Sequence, residues 1–187
     1  IGSATVGSST AMGEAIGGVL GYAVGVAVSP VPLIALILML FSARAVGNGL
    51  SFLLGWLGGL TLVSTIVLLI GPEGSAGDSG SGIVKVVIGV LFLLLAAKQW
   101  RSRPREGEGA AMPSWMANID QFTPVKAFWL ALLLSCVNPK NLGLTIAAAS
   151  VIGGVGLQGP QEAVAVCLYV TLSSLTVIVP VVGYLVA

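Results

Sequence analysis

Histidine is absent from this chain. That removes the commonest general base and the commonest metal ligand, so the sequence assigns no catalytic residue, metal site or cofactor. Charge is scarce as well. Asp, Glu, Lys and Arg make up 8% of the 187 residues, against about 25% in an ordinary soluble domain. So little polar surface cannot cover a water-soluble core. A net charge of +1 gives no argument for nucleic acid as a partner. Cysteine occurs only as Cys136 and Cys167, both inside apolar runs. This is not the disulfide framework of a small secreted domain.

What is abundant is hydrocarbon. Hydrophobic residues make up 56% of the chain and the mean hydropathy is +1.04. The expected fold class is an all-α polytopic membrane bundle. A helix needs about 20 apolar residues to cross the bilayer, and five segments qualify, roughly 14–42, 49–71, 83–100, 125–153 and 161–186. The second and third read as plain spans. The first and fourth are overlong and interrupted, by "SPVP" at 29–32 and "NPKN" at 138–141, and the fifth carries Pro180 near its end. Residues 1–13 are small and polar, and read as an external tail, a processed end or an expression remnant.

Basic residues mark the cytoplasmic side of a membrane protein. Arg44 follows the first span; Lys98, Arg101, Arg103 and Arg105 follow the third; Lys126 precedes the fourth. The loop between spans two and three holds Glu73 and Asp78 instead. The expected topology in a cytoplasmic (inner) membrane therefore has the N-terminus outside and loop 101–124 cytoplasmic. Within that loop "PSWMANIDQF" (113–122) sets Trp115, Met116, Ile119 and Phe122 near one helical face. It reads either as an interfacial amphipathic helix or as a loop packed on the bundle. Thr123 and Pro124 then fit the N-cap and first position of the next helix. Trp100 and Trp129 read as interfacial anchors.

The interruptions look like copies of one another. "SPVPLIALILMLFS" and "NPKNLGLTIAAAS" each run from a small polar residue through Pro30 or Pro139 into an apolar half-helix. Thr61 and Ser64 of the second span find counterparts in Ser173 and Thr176 of the fifth. Copies of three spans put the second upside down, because three is odd, and the basic loops independently give spans one and four opposite directions. The expected architecture is an inverted 3+3 repeat: 14–100 the first copy, 101–124 a cytoplasmic loop, 125–187 a second copy with its last helix missing. A chain of five helices is the rival reading.

A proline frees a backbone carbonyl, and an unpaired backbone group in hydrocarbon costs several kcal/mol. Paired breaks near mid-depth therefore point to a central site. Lys140 is the one ionisable residue deep in a span. It serves either an anionic substrate group or the carbonyl end of the preceding half-helix. Asn138 and Asn141 divide between substrate contact and backbone satisfaction in the same way. With Ser29, Pro30, Pro32 and Pro139 they form the candidate substrate site. Thr61, Ser64, Thr65, Ser173, Ser174 and Thr176 form a secondary polar path, although each hydroxyl can instead bond its own helix. The stripes Gly17, Gly21, Gly25 and Gly55, Gly59 read as close helix packing.

The paired motifs resemble those of the lysine-exporter (LysE) superfamily. More closely, "SPVPLIALILMLFSARAVGNGLSFLLGW", "KQWRSRPREGE", "MANIDQFTPVKAF" and "VNPKNLGLTIAAA" resemble the glycolipid- and sulfolipid-addressing (GAP) family of actinobacteria. The resemblance implies six spans and a role in moving cell-envelope glycolipids toward the surface. It also implies that Ser29, Pro30, Pro32, Asn138, Pro139, Lys140 and Asn141 carry the motif. Four functions follow for comparison: a lipid or glycolipid transporter; an exporter of small solutes such as amino acids or ions; a membrane thiol oxidoreductase using Cys136 and Cys167; and a scaffold in a lipid-export assembly. Membrane lipids are the expected partners. A compact closed pocket around Lys140 favours a small solute, whereas an opening sideways into the bilayer favours a lipid.

Overall fold

The computed structural model describes residues 2–70, 121–157 and 159–186, with side chains from Thr10 onward. It also describes Gly89, Val90, Leu93, Leu94, Ala97 and Arg101, which are helical and exposed. The remainder of the expected third span and of the 101–124 loop, with most of its expected interfacial helix, lies outside the described residues. Among the described residues there are seven helices and no strand. These are α1 (Gly2–Ala27), α2 (Pro30–Leu40), α3 (Ala45–Ile70), α4 (Pro124–Cys136), α5 (Pro139–Gly154), α6 (Pro160–Ser173) and α7 (Leu175–Val186).

Two helices are long and apolar enough to cross a membrane, Thr10–Ala27 within α1 and the whole of α3. The count rises to four if α4–α5 and α6–α7 each count as one span, bent by 63° and 66°. The turn between α6 and α7 is a discontinuity that the sequence reading did not anticipate, having placed Pro180 near the end of an unbroken span. Pro180 instead lies inside α7. It has no N–H for the carbonyl of Thr176 one turn back, and the chain turns at Ser174, just before that weakened turn. At the other end of the chain, α1 begins at Gly2, so the small polar segment ahead of Met12 is helical.

Proline starts four of the helices, and the local reason differs at each. At α4, Thr123 is the N-cap and its hydroxyl accepts from the Lys126 N–H at 3.4 Å. Pro124 fills the first position, where a missing N–H costs nothing. This is the cap expected from the sequence. At α6, Gly159 holds φ +55, a conformation that strongly favours glycine.

The bundle is keyed on α3, whose most extensive contact is with α4. A Cβ on Gly55 would meet the Phe128 carbonyl, and one on Gly59 the Ser135 hydroxyl. The two backbones approach as closely as glycine permits. Gly47 meets Pro124, so the two helices run parallel. Against α1, α5 runs antiparallel, with Leu144 over Gly25 and Val151 over Gly18. The α1 stripe is thereby corrected. Gly17 and Gly21 have no neighbour within 4 Å, and Gly18 takes their place in the contact. One turn separates stripe positions, but the face turned to α5 is set by positions seven apart.

These contacts generate contrasting outcomes. In Gly55→Ala the new methyl meets backbone, which cannot rotate away, and the expected destabilisation is about 1–3 kcal/mol. Gly21→Ala meets open space and gains about 0.5–1 kcal/mol from helix propensity. Reversible unfolding in mixed micelles reads both. A neutral Gly55→Ala would show that the α3–α4 approach is not tight.

Candidate functional site

The register of the bundle brings the helix interruptions to one level. The α4–α5 turn at residues 137–138 follows Ser135, which lies over Gly59, just past the midpoint of α3. The α1–α2 turn at 28–29 lies beside Lys140, and the α6–α7 turn lies beside Ala27. All three interruptions therefore meet near half the height of α3.

Each turn has a donor side and an acceptor side, and the first handles its donors by removing them. Ser29 is an extended N-cap with no side-chain cap bond. Among the first three helical positions of α2, Pro30 and Pro32 carry no N–H, leaving only Val31. "SPVP" is thus a helix start with little to satisfy. Its carbonyl side is different. Ala27 and Val28 end α1 with carbonyls that α2 cannot reach. The Thr176 hydroxyl donates to the Ala27 carbonyl at 2.8 Å. The Lys140 ammonium donates to the Val28 carbonyl at 3.2 Å.

The second turn is capped from within. Asn138 is the N-cap of α5, and its side-chain oxygen accepts from the Lys140 N–H at 3.1 Å. Pro139 takes the first position. The fully buried Asn141 side chain donates to the Leu134 carbonyl of α4 at 3.1 Å. So Asn141 caps the half-helix that precedes it, a task the sequence reading offered to Lys140. Lys140 reaches across to the other break.

Beyond Asn141 a polar chain runs inward. The Thr145 hydroxyl donates to the Asn141 carbonyl at 2.7 Å, and the Tyr169 hydroxyl donates to Thr145 at 3.0 Å. Neither Thr145 nor Tyr169 was singled out from sequence. The available signal was a threonine one turn after Asn141. Because α5 and α6 form an antiparallel hairpin, the Thr145–Tyr169 bond sets Asn141 and Ser173 level one turn away. The Asn141 side-chain oxygen and the hydroxyls of Ser64 and Ser174 are buried without a partner, while Ser173 lies one turn from the Tyr169 hydroxyl. Thr61 and Thr65, grouped with them in the sequence reading, lie on an exposed face of α3 instead. Thr61 and Thr65, one turn apart, share that face, and Ser64 stands about 60–100° round the helix from them, on its buried edge.

Lys140 is exposed, and so are Val28, Val31 and Val137 around the two turns, at 67%, 38% and 49%. The ammonium thus sits at the edge of the bundle on an apolar rim, not in a closed polar pocket. Cys136 and Cys167 are both free thiols. Cys136 lies against the Gly59 carbonyl at 3.5 Å, on α4, while Cys167 is exposed on α6.

Thr176→Val keeps the shape of the side chain and deletes its donor. The Ala27 carbonyl is then stranded, at an expected cost of about 1–3 kcal/mol. Thr61→Val, on the exposed face, is expected within about 0.5 kcal/mol of wild type. Unfolding midpoints in one detergent compare them directly. Equal midpoints would remove the cap assigned to Thr176.

No curated protein and no solved structure matches the chain. A family model described as Sap, sulfolipid-1-addressing protein, matches residues 19–187, from the middle of α1 through α7. The match takes in both proline turns, the Lys140 bridge and the Thr145–Tyr169 bond, and the chain belongs to the sulfolipid-1-addressing protein family.

Proposed function

We propose that this protein translocates cell-envelope lipids or glycolipids across or out of the cytoplasmic membrane, with Lys140 engaging the anionic part of the lipid. The observation that carries the reading is the place of Lys140. An ammonium near mid-depth costs roughly 2.5–3.5 kcal/mol on insertion scales, and this one is exposed at the rim of the bundle. Its bond to the Val28 carbonyl offsets part of that cost. A phosphate or sulfate would bind the same ammonium more strongly, because it brings a full negative charge where the Val28 carbonyl brings only a dipole. Lys140 is then both the latch on the first break and the group that releases it to a substrate. The family's name, sulfolipid-1-addressing, fits an anionic lipid.

The topology belongs to the same proposal. Among the described residues, Arg44 lies near the end of the bundle that carries Lys126, with Gly47 meeting Pro124 between them. Glu14 and Glu162 lie near the opposite end, in α1 and at the start of α6. That distribution supports a topology with loop 101–124 in the cytoplasm and the N-terminus outside. An inverted repeat accounts for the antiparallel register of α1 with α5 and for proline at the start of both α2 and α5. The likeness is incomplete, since α3 is unbroken where α6–α7 turns. Kinship with the LysE superfamily, an actinobacterial source and a place in a lipid-export assembly complete the reading. No covalent chemistry is assigned to it, and substrate residues are Lys140, Asn138 and Asn141 around Ser29, Pro30, Pro32 and Pro139.

The test is lipid movement in proteoliposomes carrying a fluorescent anionic lipid, read by quencher accessibility. Lys140→Ala is expected to slow it at least tenfold, with Lys140→Arg restoring part of the rate. Thr176→Val lowers stability while keeping transport, which separates latch strength from substrate contact. Wild-type movement in a folded Lys140→Ala protein would sink the reading. Efflux of an amino acid with no lipid movement would replace it with small-solute export.

A further inference from the structure

Away from the three turns, an apolar cavity of about 310 Å³ lies between α2 and α7, lined by Ile37, Leu40, Phe41, Pro180, Gly183 and Tyr184. Each helix contributes residues at i, i+3 and i+4, hence one face. Its floor is close-packed: the Leu40 side chain lies 2.9 Å from where a Cβ on Gly49 of α3 would stand, and Val181 lies 3.8 Å away. Its mouth is open. Phe41 is 85% exposed and Tyr184 47% exposed.

A basic residue follows the mouth closely along the chain. Three residues past Phe41, the turn into α3 carries Arg44, exposed and without an ion-pair partner among the described residues. That turn is held rigidly. The buried Ser42 hydroxyl donates to the Met39 carbonyl at 2.7 Å. The fully buried Asn48 amide donates to Ser42 at 3.2 Å and to the Phe122 carbonyl at 3.1 Å. The backbone that carries Arg44 is therefore held three residues past the Phe41 end of an open apolar slot, with Tyr184 on the facing helix, a residue type suited to the headgroup level.

We propose that this groove is a docking site for an anionic membrane lipid, one acyl chain in the α2–α7 slot and its phosphate or sulfate on Arg44. The slot supplies chain burial without regard to headgroup, and Arg44 supplies the preference for negative charge. A guanidinium suits this role because its planar donors bind phosphate or sulfate oxygens in pairs. The proposal rests on the membrane reading of the chain and not on transport through Lys140.

Gly183 allows a clean test. A Cβ there meets nothing within 4 Å, so Gly183→Leu fills the slot, and leucine is the better helix former. The full chain is reconstituted in vesicles of equal phosphatidylglycerol and phosphatidylcholine, extracted, and its retained lipids counted by native mass spectrometry. Wild type is expected to retain the anionic lipid about fivefold over the zwitterionic one, the ratio one basic residue contributes at an anionic surface. Arg44→Gln brings the ratio near one. Gly183→Leu loses the retained lipid of both kinds at an unchanged melting temperature. Lys126→Gln, a charge at the same end but away from the slot, leaves the ratio unaltered. The proposal falls if Gly183→Leu retains lipid like wild type, or if Lys126→Gln matches Arg44→Gln. It also falls if Gly183→Leu lowers the melting temperature or changes the oligomeric state, since protein would then cover the groove. Lys140→Ala keeps the wild-type ratio, so loss of the transport reading and loss of this site are separate results.

Discussion

A backbone carbonyl without a donor cannot be left in hydrocarbon, and this constraint organises the centre of the molecule. An unbroken helix satisfies it internally, but each interruption frees acceptors that something else must meet. Here the donors come from side chains at or near an interruption, the same one or another. Thr176 near the α6–α7 turn serves Ala27, Lys140 at the α4–α5 turn serves Val28, and Asn141 serves Leu134 across its own turn. The first turn must lie level with the other two, because its carbonyls take their donors from Lys140 and Thr176. Helix packing follows. The α3–α4 approach at Gly55 and Gly59 and the α1–α5 register at Gly18 and Gly25 hold the turns within hydrogen-bonding reach.

The two proline turns solve the donor side in different ways, and this explains why their motifs differ. "SPVP" removes N–H groups, so α2 can start in an apolar setting with an idle serine at its cap. "NPKN" keeps the Lys140 N–H and satisfies it through Asn138. It spends its second asparagine on a carbonyl of the preceding helix. Val31 and Lys140, at matching places in the motif, are therefore not interchangeable. Val31 asks for nothing, while Lys140 closes the other turn.

Much of the local structure was legible in the sequence because its causes are local. Proline marks the starts of α2, α4 and α5, Thr123 marks a cap, and glycines at four-residue spacing mark the α3 face that meets α4. Other features depend on contacts distant in sequence and left no local mark. The Lys140 bridge links residues 112 apart and the Thr176 bond residues 149 apart. No spacing rule identifies Val28 as the acceptor for Lys140. The turn at Ser174 escaped notice because Ser173, Ser174 and Thr176 read as a polar path or as hydroxyls bonded to their own helix, and neither reading breaks the span. The choice of Gly18 over Gly17 and Gly21 depends on where α5 lies, which α1 alone does not encode.

The buried oxygens of Asn141, Ser64 and Ser174 bear on how such a centre could work. Each is enclosed without a partner, and stranding a polar group costs on the order of 1–3 kcal/mol. Several such groups in one bundle are a standing cost of the enclosed arrangement. Any rearrangement that admitted water or a polar headgroup to them would recover part of it. That recovery opposes the cost of parting Lys140 from Val28 and Thr176 from Ala27, each a bond worth roughly 0.5–3 kcal/mol net. The opposing terms are of similar size. An enclosed state held by a few carbonyl bonds over under-satisfied polar groups is therefore poised by a small difference, of the order that one ion pair at Lys140 could reverse.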